Sequence, residues 1–157
     1  MKPLALFMGA AAVLLASAAS AQDAANTDME ILMQKVKADK KLLVASNMNL
    51  SDLEGKNFWP LYDSFQKELE KVNRQIAKVI QEYVEAYKLG PVPNDLAKKL
   101  MNDAFAAEEA ELKLKRSYAE KLANVLPQWK AVRYIQIENK ISAAVKVKLA
   151  EQIPLAY

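Results

Sequence analysis

The chain contains no cysteine and no histidine, and only three glycines in 157 residues. The first two absences remove disulfides, thiolate nucleophiles, Cys/His metal sites, histidine-held haem and all imidazole acid–base chemistry. Scarce glycine argues against turn-rich sandwiches, barrels and doubly wound folds, because tight turns and phosphate loops need positive φ. Beyond residue 21 the serines are Ser46, Ser51, Ser64, Ser117 and Ser142, and none sits in a Gly-x-Ser-x-Gly elbow. No catalytic group, cofactor or enzyme activity is expected on these grounds. A dominant charge sign is also lacking. There are 22 basic and 19 acidic side chains, so no nucleic-acid footprint is expected.

Long apolar runs are confined to the amino terminus. Lys2 precedes an apolar stretch from Leu4 to Leu15, and small residues follow, ending in Ala19-Ser20-Ala21. This is the pattern of a cleaved signal peptide, with Gln22 as the first mature residue. The stretch is short for a bilayer span, which takes about 20 residues. The expectation is a signal peptide over 1–21 and one helical domain over 22–157, exported to the periplasm and not embedded in a membrane after cleavage.

What is present is helical periodicity. Thr27-Asp28-Met29-Glu30 fits a capping box, followed by a stripe of Met29, Met33, Val36 and Leu43 as far as Ser46. Asn47 and Asn49 break that helix. Ser51-Asp52-Leu53-Glu54 is a second capping box. After it, Phe58, Tyr62, Phe65, Leu69, Val72, Ile76, Val79, Tyr83 and Ala86 alternate in steps of four and three. That heptad seam predicts a long second helix to Leu89, coiled-coil-like, with Pro60 kinking it or splitting off its first segment. Gly90-Pro91-Val92-Pro93 is a stiff turn, and Asn94 is the expected N-cap of a third helix over 95–125. Leu126-Pro127 interrupts the chain, and Pro127 opens a fourth helix that runs to Gln152. The fold class is all-α: a four-helix elongated hairpin or bundle whose second and third helices are long antiparallel neighbours. A turn centred near Val92 puts residue i opposite residue 183 minus i. Phe65 then meets Tyr118 and Ile76 meets Ala107, and Trp59 and Trp129 share one pole as buried anchors of the junction.

Four acid-before-base pairs, Asp63/Lys67, Glu70/Arg74, Glu109/Lys113 and Glu111/Lys115, suit solvated helix faces. Glu108, Glu109 and Glu111 read as part of that pattern rather than as a metal cluster, since bundle di-metal sites use Glu-x-x-His pairs. Lys67, Lys71, Arg74 and Lys78 form a basic row about 200° round the helix from the seam. It is the candidate surface for clients or partners that are acidic or unfolded. Arg133, Gln136 and Asn139 form a polar strip expected to be a structural hydrogen-bond network.

Leu50-Ser51-x-x-Glu54 and Leu126-Pro127-x-x-Lys130 each precede a helix. They resemble the paired Leu-Thr-x-x-Gln motifs of the Spy/CpxP-like periplasmic proteins, over Asn26 to Ala150. The first copy has Ser for Thr and Glu for Gln; the second has Pro and Lys. The runs Asn49–Tyr62 with Phe-Trp-Pro-Leu-Tyr, Val125–Pro127, Arg133–Lys140 with Arg-Tyr-x-Gln-Ile-Glu-Asn-Lys, and Gln152–Leu155 are more similar still to a group of exported bacterial helical proteins. That group supplies no activity to carry over. The Spy-like resemblance implies a thin, cradle-shaped helical homodimer, with ATP-independent chaperone or envelope-stress roles. Three functions follow as expectations: a holder of unfolded clients, a regulator bound to a membrane sensor's periplasmic domain, or a structural coiled-coil element of the envelope.

Overall fold

A computed structural model of the chain describes residues 22–156, with side chains from Lys35 onward. The signal-peptide expectation, and the side chains of Met29 and Met33, lie outside the described residues. Among the described residues there are four helices: α1 (Gln22–Met48), α2 (Asp52–Leu89), α3 (Asn94–Ala123) and α4 (Gln128–Gln152). Among the described residues there is no strand, and no helix is long and apolar enough to cross a membrane. The all-α expectation holds.

The helix ends follow local chemistry, with three departures from the sequence reading. First, α1 starts at Gln22, so Thr27 lies inside the helix and its capping box marks no boundary. A helix interior tolerates Thr at a cost of a fraction of a kcal/mol, and the preceding Gln22, Ala24 and Ala25 are good helix formers that carry the helix through it. The break after α1 is where the asparagines stand. Asn47 Nδ2 donates to the Leu43 carbonyl at 2.8 Å, and Asn49 takes φ 52°, the left-handed region that Asn tolerates best after Gly.

Second, α2 is continuous through Pro60 rather than split there. The ring removes one hydrogen bond, to the carbonyl of Lys56. Both residues are exposed, so water can serve that oxygen. The capping box at its start is complete: the Glu54 amide donates to Ser51 Oγ at 3.4 Å, and the Ser51 amide donates to Glu54 Oε2 at 2.7 Å. At the other end Gly90 sits at φ 131°, where a side chain would be strained, and its amide donates to the Tyr87 carbonyl at 3.3 Å.

Third, Asn94 is the first residue of α3 and not its cap. Pro93 holds the cap position without a side-chain hydrogen bond, and its carbonyl receives the Ala97 amide at 2.9 Å. Pro127 likewise stands just before α4, its carbonyl accepting the amides of Lys130 and Ala131 at 2.8 and 3.2 Å.

The helices fall into two compact units. One combines α1 with Ile137–Gln152 of α4. In it, Val44 and Met48 are fully buried, and Lys40 Nζ meets Glu138 Oε2 at 2.8 Å. Glu138 is only 2% exposed, so this pair is a desolvated one, which breaks at high cost if either partner is removed.

The other unit holds Leu50–Gln136 and the residues from Ile153 on. Its frame is the antiparallel α2/α3 hairpin. The seam behaves as its period demands: Phe58, Tyr62, Phe65, Leu69 and Val72 are buried. Leu100, Ala107, Tyr118 and Leu122 are buried on the facing side of α3. Phe65 meets Tyr118 edge-on, ring centroids 5.2 Å apart, which is the register set by a turn at Val92. Toward the tip the seam thins. Ile76, Val79, Tyr83 and Ala86 are half-buried.

Candidate functional site

The hairpin unit is pinned at its base by α4. Lys130, Ala131 and Tyr134, spaced to share one face of α4, are all buried. Tyr134 is fully enclosed, with ring centroids 5.1 Å from Phe58, 6.0 Å from Tyr62 and 6.0 Å from Phe65. Its hydroxyl accepts from Gln66 Nε2 at 3.1 Å. Lys130 Nζ donates to Glu54 Oε2 at 2.6 Å. One carboxylate therefore caps α2 and clasps the first turn of α4. The Lys130 ammonium first, and the Ser51 amide next, hold the Glu54 carboxyl below its ordinary value.

This clasp sets where the other aromatics go. Trp59 is half-buried and packs edge-on against Phe58 at 4.9 Å and Tyr62 at 5.4 Å. Trp129 does not anchor the junction, contrary to the sequence expectation. It is 59% exposed, with Lys130 Nζ 5.4 Å from its ring centre. The inward face of α4 runs through Lys130 and Tyr134, and Trp129 stands about 100° from Lys130 round the helix. Tyr134 is the anchor instead. Val132 on α4 and Leu53 on α2 are likewise exposed. The base thus presents apolar side chains to solvent beside the Glu54–Lys130 clasp.

The polar strip is corrected too. Arg133, Gln136 and Asn139 are all exposed and form no buried network. Besides the local Glu111–Lys115 pair, four part-buried polar contacts join residues far apart in sequence: Lys130 with Glu54, Gln66 with Tyr134, Lys40 with Glu138, and Tyr118 with Glu68. Tyr118 Oη donates to Glu68 Oε1 at 2.6 Å. Burial, and then the Glu68 carboxylate, push its pKa up to about 12. No sequence period signals such pairs.

The basic row lies on the outside of α2, as its angle required: Lys67, Lys71, Arg74 and Lys78 are exposed. Part of its charge is spent locally. Arg74 pairs with Glu70 at 2.8 Å and Lys78 approaches Glu82 at 3.8 Å. Nearer the tip, an open groove of about 310 Å³ lies between α2 and α3, floored by Ala106, Ala107 and Ala110. Lys99 spans it, donating to Glu82 at 3.0 Å and Asp103 at 2.9 Å. Asp103, and then Glu82, raise the Lys99 pKa. The groove's charges neutralise one another, so it reads as a strap across the hairpin.

Of the carboxylates considered for metal, Glu111 is buried and holds Lys115 at 2.6 Å. Among the described residues no group of three or more ligating side chains is gathered for an ion. The sequence reading also missed an apolar row on the outer face of α3. Met101, Phe105 and Leu112 are 53, 56 and 53% exposed. Their spacing of four and then seven was the available signal, about 120° round the helix from the buried seam.

Protein-family models, curated proteins and solved structures offer no match to this chain. The likeness to the Spy/CpxP-like proteins therefore rests on the motifs alone, and the first of those motifs is physically the Ser51/Glu54 cap.

Proposed function

We propose that the protein is an exported helical binding protein of the periplasm, which captures apolar segments of other polypeptides without ATP, as a chaperone or envelope-stress accessory. The observation that carries this reading is Trp129, more than half exposed on a turn of helix fixed by the Glu54–Lys130 clasp. Tryptophan offers a large apolar area with little entropy to lose, and it dominates many protein interfaces. Leu53 and Val132 extend the apolar character of the base. The basic row on α2 adds attraction for acidic clients, an effect that salt screens.

The test is suppression of aggregation of a chemically denatured client by the mature chain. Activity that falls in Trp129→Ser supports the proposal. No suppression at several-fold molar excess overturns it. The Glu54–Lys130 clasp beside Trp129, which holds that turn of α4 to the start of α2, favours a second reading, in which the occupant is one folded domain, such as the periplasmic part of a membrane sensor. A single stoichiometric partner recovered from periplasm by wild type, and lost in Trp129→Ser, would select that reading over the first.

A further inference from the structure

Pro154 ends the helical run of α4 for a local reason: it has no amide to donate, and its ring pushes Ile153 out of the helical region. The tail that follows groups with the hairpin unit. Tyr83 Oη, on α2, donates to the Pro154 carbonyl at 2.9 Å. Ile153 and Pro154 are half-buried, and the hold ends at Leu155, which is 89% exposed. The Tyr83 ring centre stands 6.0 Å from that of Tyr87, the planes tilted by 38°. Tyr87, Ile80 and Val84 lie within about 100° of Tyr83 round α2. None of the three belongs to the heptad seam, yet all are half-buried. They give α2 a second apolar face beside the one it turns to α3.

We propose that this tyrosine-bearing face of α2 is a binding site for extended apolar segments built round a proline, held in cis by Ile153-Pro154-Leu155 and open to a segment of the same kind from another polypeptide when the tail leaves. The chemistry follows from the contact seen. An extended segment at a proline leaves its carbonyls without internal partners, and a phenol hydroxyl can satisfy one while aromatic rings offer flat apolar surface to the pyrrolidine. Proline also fixes φ beforehand, so such a segment has less freedom to lose on docking. The tail is a weak occupant. One neutral hydrogen bond ties it to Tyr83, and its last large apolar side chain, Leu155, stays in water. It keeps its place through tethering: a short link sets an effective concentration of about 1 mM. A site with an intrinsic affinity of about 0.1 mM is then filled by the tail nine-tenths of the time, and a free segment binds about tenfold more weakly than it would without the tail. Tyr83 lies toward the tip of α2 and Trp129 at the base of the hairpin unit, so this site does not rest on the function proposed above.

The probe is a fluorescent peptide with the sequence of residues 151–156, Glu-Gln-Ile-Pro-Leu-Ala, its binding read by anisotropy. Two variants free the site: a chain ending at Gln152, and the full chain with Ile153→Asp, whose charge draws the tail into water. Both should bind the peptide about tenfold more tightly than wild type does. Adding Tyr83→Phe to Ile153→Asp should weaken binding about fivefold, the loss of one hydrogen bond. A peptide with alanine in place of its proline should also bind several-fold more weakly. Unchanged helical melting checks that each variant is folded. Equal affinity for wild type and both freed variants would place the peptide elsewhere, and no binding by either freed variant at millimolar concentration would mean there is no site. Indifference to Tyr83→Phe, or to the loss of the peptide's proline, would remove the recognition chemistry. Each of these results overturns the proposal, and none bears on aggregation suppression through Trp129.

Discussion

Lys130 and the Ser51 amide donate to the same carboxylate oxygen of Glu54, at 2.6 and 2.7 Å. A helix start and a tertiary clasp therefore share one charge. Both donors favour the ionised form, so the Glu54 pKa lies below the ordinary 4.5. A group with a depressed folded pKa contributes stability that is full above its unfolded value and is lost as pH falls through the folded one. The melting temperature should hold steady down to pH 4.5 and then drop. Glu54→Gln should lower stability at neutral pH and flatten that acid limb. Superimposable acid limbs for wild type and Glu54→Gln would show that the clasp adds nothing.

Tyr118 gives the alkaline counterpart. Its raised pKa of about 12 means that its contribution is complete below the ordinary tyrosine value of 10.0 and disappears as pH rises toward 12. In a spectrophotometric titration the Tyr118 step should fall above the ordinary tyrosine value of 10.0. Tyr118→Phe should abolish that late step and cost about 1 kcal/mol, the usual net worth of one hydrogen bond.

The hairpin seam is not uniform, and substitutions should report its gradient. Phe65→Ala removes a fully buried ring and should cost about 3–5 kcal/mol in urea unfolding. Val72→Asp should be more damaging than Ile76→Asp, because Ile76 is only half-buried and a carboxylate there can reach water. The seam's period alone does not distinguish Ile76 from Val72. Equal losses at the two positions would mean the tip is packed as tightly as the base.

Trp129→Ala should change stability by less than about 1 kcal/mol, as exposed positions do, while weakening client capture. Gly55→Ala should stabilise by up to about 1 kcal/mol. Gly55 is helical, and an added Cβ would lie 3.6 Å from the Trp59 ring nitrogen, an ordinary contact distance. A melting temperature lowered by Gly55→Ala would point to a close approach at that backbone.

Much of the hairpin was legible because periodic burial and short turns are local properties. The seam from Phe58 to Val72, the Ser51/Glu54 box and the stiff turn at Gly90 together suffice to set Phe65 opposite Tyr118. Thr27 misled because the Thr-x-x-Glu pattern is also tolerated inside a helix, where it caps nothing. Trp129 misled because size and hydrophobicity say nothing of angle. The face of α4 that turns inward is chosen by Lys130 and Tyr134, and a lysine reads as surface until its partner Glu54 is seen. The outer row of α3 was overlooked because one apolar seam already accounted for that helix.

The thinning of the seam toward Gly90 separates what joins α2 to α3 in sequence from what joins them in space. The peptide connection is at the tip, beside the exposed Leu89. The aromatic packing that binds them, Phe65 on Tyr118 and the group round Tyr134, is at the far end, with the Lys99–Glu82 pair as a strap nearer the tip. Covalent continuity through the turn is then dispensable once the chain has folded. A protease that cuts after Lys88 should leave two fragments that stay together on a sizing column. New termini placed at the tip should yield a permuted protein that still folds.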